Sequence, residues 1–283
     1  EAYLFSPICS NALIPKALSK HVALPDKLMN LITKLLTFEP SNWVRHFILI
    51  SFLPLSAMVL AIDSRQLVIT QGIDGQPFAN VFIISYFLLL LFGLRPEQRL
   101  MALIFVPFAA IGECIFSLLF GLYIYRLEMV PLYVPFGHGV LFSMGLLVAE
   151  LSAIQKHEAW IKPLLIGVYF MLFSGAIVLL HDSLSAIFGL VFLWVLRRKG
   201  YQTLYFIMGL LVLYVELVGT HWGCWAWTSH PFGLSWLHAT NPPVGAFACY
   251  VLADLGVMKI ARHWQPRLGL ETTRDQVTAL PST

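Results

Sequence analysis

Eight stretches of this chain are almost continuously apolar, at 44–62, 78–94, 100–125, 133–154, 161–180, 183–196, 203–220 and 243–261, with polar and charged residues collected between them. The hydrocarbon core of a bilayer, about 30 Å thick, takes about 20 apolar residues per helix, with a tolerated range of roughly 17–25. The runs do not alternate between apolar and polar residues, and each must close its own backbone hydrogen bonds in lipid, so they predict helices and not barrel strands. The pattern predicts an all-α integral membrane fold with eight transmembrane helices. It divides the chain into a cytoplasmic amino-terminal segment at 1–42, the eight-helix domain at 43–262 and a cytoplasmic tail at 263–283. In the first segment Pro25-Asp26 starts a short helix with Leu28, Ile32, Leu35 and Leu36 on one face, opposite Lys27 and Lys34, as expected of a helix lying on the membrane surface. The charged stretch from Lys16 to Lys34 precedes the first long run, which argues against a cleavable signal peptide.

Composition agrees with the pattern. The chain is 58% hydrophobic and 12% charged over 283 residues, with a mean hydropathy of +0.77, against about 45–50% and about 25% for soluble domains. A soluble enzyme, a nucleic-acid binder and a disordered or fibrous chain are thereby excluded. Its four cysteines, at 9, 114, 224 and 249, show no CxxC spacing and imply no disulfide framework. Charge adds the orientation. Of the 18 Lys and Arg residues, all but Arg65 and Arg126 fall on one side of an eight-span path, which places both termini in the cytoplasm and points to a bacterial inner membrane.

The chain also echoes itself. Glu113 is followed by Gly121 and then Tyr123-Ile-Tyr125, while Glu216 is followed by Gly223 and then Trp225-Ala-Trp227. Each copy leads into the next span through proline-containing text, Pro131-Leu-Tyr-Val-Pro135-Phe-Gly137-His138 in the first and Asn241-Pro242-Pro243-Val-Gly245 in the second. The copies stand four spans apart, an even offset, so they predict two parallel four-helix repeats. Over 113–138 and 216–245 this text resembles that of membrane-integral carotenoid-biosynthesis hydratases. The resemblance implies addition of water to an isoprenoid double bond. His138 at the start of its span and the His181-Asp182 pair stand outside the resemblance.

An ionisable residue inside a span is costly and so a candidate for function. Glu113 lies 14 residues beyond Arg99 and Glu216 17 beyond Lys199, about 21 Å and about 25 Å at the helical rise. His138, His181, Asp182 and His221 fall at similar depth, so six titratable groups are expected in one layer near the noncytoplasmic face. Glu150 and Asp254 lie close to Lys156 and Lys259, where pairing or snorkelling at the inner interface is expected. Tyr123, Tyr125, Trp225, Trp227 and Asn241 are the expected substrate-binding residues, crowded with Trp222, Trp236 and Tyr133 at the same end as a lid or an aromatic belt.

Two chemistries fit this inventory. In the first, Glu113 and Glu216 act as acids and His138 or His221 as base, with the aromatic pairs as a wall for a developing cation. In the second, His138, His181, Asp182 and His221 hold zinc or non-haem iron for a hydroxylase or hydrolase. Glu216 and His221 are five residues apart, about 140° round a helix, so sharing a ligand needs a break near Gly219–Gly223. A proton-coupled transporter, relaying between the outer pair and Glu150 with Asp254, and a subunit of a larger membrane complex are the remaining readings. Expected partners are membrane lipid and a hydrophobic small molecule that enters from it.

Overall fold

The computed structural model describes residues 26–199 and 202–270. The positively charged Lys16, Lys20 and Arg274, Cys9 and the tail beyond 270 lie outside the described residues. Eleven α-helices run in chain order among the described residues: α1 Asp26–Leu36, α2 Asn42–Ile62, α3 Arg65–Gln71, α4 Gln76–Leu91, α5 Pro96–Glu113, α6 Tyr133–Ala149, α7 Ser152–Lys156, α8 Glu158–Leu179, α9 Ser183–Lys199, α10 Thr203–His221 and α11 Phe247–Trp264. The only strands among the described residues are β1, Tyr123–Tyr125, and β2, Trp225–Trp227. This is an all-α membrane protein in which five helices among the described residues are long and apolar enough to cross a bilayer: α2, α5 with its extension to Leu119, α8, α10 and the helix ending at Trp264. Helices α4 and α6 are apolar but shorter, and α9 ends on Arg197, Arg198 and Lys199.

Several boundaries correct the expectation from sequence. The third apolar run does not continue as helix to Tyr125; α5 passes into a π-helical segment, Cys114–Leu119, and the chain then turns through Gly121 at φ 59° into β1. The fourth run stops at Ala149, and 152–156 forms a separate short helix. The tail begins as folded chain, with Leu268 and Leu270 buried beside Leu36 and Leu100. Helix α1 packs into this cluster through Leu36 and Ile32, whereas Leu35, expected on the same face, is exposed. The Arg99 guanidinium, fully buried, donates to the Leu36 and Phe38 carbonyls, both at 2.6 Å, and so fixes the end of α1 to α5.

Helices α5, α6, α10 and α11 pack on one another at the middle of the bundle, with α4 against α6, α9 against α11, α8 against α9 and α10, and α2 against α4, α6 and α10. Close approach at the centre depends on small residues, as in other helical membrane proteins. A Cβ on Gly145 of α6 would come within 1.7 Å of the Met208 sulfur on α10.

Candidate functional site

The two strands pair antiparallel, Tyr123 with Trp227 and Tyr125 with Trp225. Tyr-x-Tyr and Trp-x-Trp are period-2 text, so the four large rings point to the same face, inward, while Ile124 and Ala226 point out. Hydrogen bonds from Arg126 N to the Cys224 carbonyl and from Thr228 N to the Leu122 carbonyl, both 2.9 Å, extend the ribbon equally at its two ends. Beneath this ribbon lies an apolar cavity of about 420 Å³.

Each ribbon strand supplies two donors to the carboxylate that precedes it in the chain. Tyr123 and Tyr125 hydroxyls donate to Glu113 Oε2 at 2.8 and 2.7 Å. The indole N–H groups of Trp225 and Trp227 donate to Glu216 Oε2, both at 2.9 Å. Both carboxylates are buried, at 5% and 4% exposure, and both line the cavity. Glu113 stands eight residues before its glycine and Glu216 seven. The π-helical turn after Glu113 absorbs the extra residue, which keeps the two carboxylates in matching relation to the ribbon.

The second oxygens differ. Glu113 Oε1 lies 3.2 Å from His138 Nε2, and His138 Nδ1 is 2.9 Å from the Val134 carbonyl. A carbonyl only accepts, so Nδ1 carries hydrogen and Nε2 is left facing Glu113. Glu113 and His138 therefore share one proton across that contact, on either atom. Glu216 Oε1 accepts from the Tyr250 hydroxyl at 3.2 Å, and the Tyr250 ring stacks on His138 at 4.7 Å and 5°. Tyr250 thus bonds one acid and packs against the imidazole that faces the other. Sequence reading missed it because a tyrosine among the apolar residues of α11 carries no signal of its own.

Of the six titratable groups expected in one layer, the structure gathers three: Glu113, His138 and Glu216. His181 is exposed at φ 53°, and His221 is exposed beside Trp222. Asp182 is buried but caps α9, accepting from Ser185 N at 2.8 Å, Ser185 Oγ at 2.7 Å and Thr240 Oγ1 at 2.6 Å. The proposed ligand set His138, His181, Asp182 and His221 is not brought together, and no three His, Cys, Asp or Glu side chains among the described residues are grouped to hold a metal ion. Asn241 is exposed and its side-chain oxygen accepts from Trp227 N at 2.9 Å, so it holds the ribbon instead of lining the cavity. Trp236 is exposed and lies outside the cavity wall.

No protein-family model, curated protein or solved structure matches this chain.

A second polar cluster anchors the ribbon. Arg126, directly after β1, donates to Asp63 Oδ1 at 2.7 Å, the Asp63 carbonyl at 3.1 Å and Asp74 Oδ1 at 2.6 Å. Tyr133 donates to Asp63 Oδ2 at 2.8 Å. Burial pushes the Asp63 carboxyl above its ordinary value, against the lowering action of Arg126 and Tyr133. Exposed Asp74 is held below the usual range by its hydrogen bond from Arg126. Sequence reading placed Arg126 outside as one of two stray positive charges and gave it no role. At the other end Glu150 meets the expectation, pairing with Arg45 at 3.1 Å, with Arg95, and with Gln98 at 2.8 Å. Asp254 does not: it is buried, and neither oxygen has a hydrogen-bond partner among the described residues.

Gly219 offers a direct test of the ribbon's seat. A Cβ there would lie 2.0 Å from the Trp225 ring, which is rigid and buried. Gly219→Ala is expected to push the indole off Glu216 and to cost about 1–3 kcal/mol. A red-shifted tryptophan emission together with a lowered Tm checks this, and an unchanged spectrum contradicts it.

Proposed function

We propose that this chain is an integral membrane enzyme that adds water to a carbon–carbon double bond of an isoprenoid or similarly lipid-like substrate. The observation that carries the reading is the 3.2 Å contact between Glu113 and His138, set with a second buried carboxylate, Glu216, in a cavity lined almost entirely by apolar and aromatic side chains. An alkene is a poor base, and protonating it needs an acid positioned in a water-poor site. In the proposed reaction the proton of the Glu113–His138 pair forms a new C–H bond with the alkene π electrons, leaving a cation on the neighbouring carbon. The Tyr and Trp rings of the ribbon face that charge. A water oxygen then bonds to the cation and loses its extra proton to Glu216. Return of one proton from Glu216 to the Glu113–His138 pair, carried by water admitted to the cavity, resets the site with no net gain or loss.

Ile111 and Ile115 on the α5 side and Leu252 on α11 line the cavity and are also exposed on the outside of the bundle. This supports entry of substrate from lipid through the α5–α11 flank. We further propose that all eight apolar helices cross the membrane as two parallel four-helix halves, with the site toward the noncytoplasmic face of a bacterial inner membrane. The ribbon supports this: its register pairs the first ring of one strand with the second ring of the other, as a two-fold axis along the membrane normal requires.

The test is incubation of the purified chain, in liposomes holding an acyclic isoprenoid hydrocarbon, with water enriched in heavy oxygen. Hydration predicts an alcohol carrying oxygen from water. Oxygen derived from dioxygen would instead establish a hydroxylase, and movement of an unaltered solute driven by a pH gradient would establish a carrier.

A further inference from the structure

We infer a second binding site, for a phosphate-bearing anion, at the end of the bundle remote from the ribbon. A pocket of about 260 Å³ there is lined by Lys199, the last residue of α9, and by Leu255, Met258, Lys259 and Arg262 of α11. The four α11 residues are spaced at three, four and seven positions, so they share one helical face, and that face meets the end of α9.

A general excess of basic residues at this interface does not account for the grouping. The other cations at this end are largely committed: Arg45 and Arg95 to Glu150, Lys162 to Glu158, Arg99 to backbone carbonyls, Arg198 to the Trp194 ring and Arg267 to the Trp264 ring. Lys199, Lys259 and Arg262 have no acidic partner among the described residues, yet they converge on one concavity. The carbonyl end of α9 opposes an anion there, but a helix terminus carries only about half a negative charge, against three full positive ones. Leu255 and Met258 give the pocket an apolar wall beside its cations, a combination suited to a phosphate whose remainder is hydrocarbon. A phospholipid headgroup and a free phosphate share the recognised group. The site stands apart from the cavity under the ribbon and does not depend on the reaction proposed for it.

The experiment uses the full chain, stripped of lipid and placed in phosphatidylcholine bilayers containing a trace of labelled phosphatidic acid. The wild type is expected to retain phosphatidic acid over phosphatidylcholine, and the variant Lys199→Gln/Lys259→Gln/Arg262→Gln to lose at least about tenfold of that retention. Two of the three side chains are exposed and the third is half-buried, so the variant is expected to keep its helical circular dichroism. Failure of millimolar inorganic phosphate to displace the lipid assigns the site to a headgroup; full displacement assigns it to soluble phosphate. No preference in the wild type, or an equal loss in Arg197→Gln/Arg198→Gln, overturns the site and leaves only diffuse surface charge.

Discussion

Replacing Glu113 by Gln is expected to lower turnover by roughly 100- to 10,000-fold, the usual range for loss of a positioned proton donor, while Tm stays close to that of the wild type. The amide oxygen still accepts from Tyr123 and Tyr125, so the ribbon keeps its seat. The amide nitrogen then donates a hydrogen bond to His138 but carries no proton that it can transfer. The loss should therefore fall on kcat with little change in KM, because the cavity wall is otherwise intact. His138→Gln should show a similar fall, and the double variant little more than either alone, as expected of residues that act as one unit. If Glu113→Gln keeps more than about a tenth of wild-type turnover, Glu113 serves only as an acceptor for the ribbon tyrosines. Lowered Tm with unchanged kcat would assign it the same structural role.

Arg126→Met should give the largest loss of stability, about 3–5 kcal/mol, because removing one partner of a buried pair strands the other's charge. The Arg126 and Asp63 side chains are 6% and 1% exposed. Asp63→Asn in the same background should recover much of the deficit, since it removes the stranded charge while Tyr133 can still donate to the amide oxygen. The pH dependence has a definite sign. Asp63 in the folded protein already titrates above its ordinary value, and loss of Arg126 takes away a lowering influence. A carboxyl whose folded pKa is raised stabilises the fold below its unfolded pKa and loses that contribution as pH rises through the folded pKa. The deficit of Arg126→Met should thus be greatest near neutral pH and shrink on acidification as Asp63 takes up its proton. Exposed Asp74 acts oppositely and more weakly, its contribution fading as pH falls through its lowered pKa. Thermal unfolding of both single variants and the double variant between about pH 8 and about pH 4 checks the cycle. A deficit that does not change with pH contradicts the account.

The helical segments were legible because membrane spanning leaves a one-dimensional trace: long apolar runs and charge on alternate loops. Glu113 and Glu216 stood out for the same reason, as lone charges in such runs. What the sequence concealed is lateral placement. Depth counts put His181, Asp182 and His221 in one layer with the glutamates, but equal depth says nothing about which side of a helix faces the cavity. Asp182 became a helix cap, and the two histidines turned outward. Boundaries failed where apolar residues left the helix. Tyr123–Tyr125 is apolar enough to extend a span, yet Gly121 at positive φ and the pairing with Trp225–Trp227 turned it into strand. The aromatic pairs, read as a lid or a belt, proved to be hydrogen-bond donors to the two acids, a role that depends on strand geometry that neither copy has without the other.

The ribbon is fastened from below by four hydrogen bonds to the two acids and at its side by Arg126, so the roof of the chamber does not lift without breaking them. On the proposed reaction, guest molecules are then expected to come and go sideways, and saturation to follow their mole fraction among the surrounding lipids instead of their molarity in the buffer. Adding inert phospholipid at constant protein and constant guest should then slow the reaction by surface dilution alone.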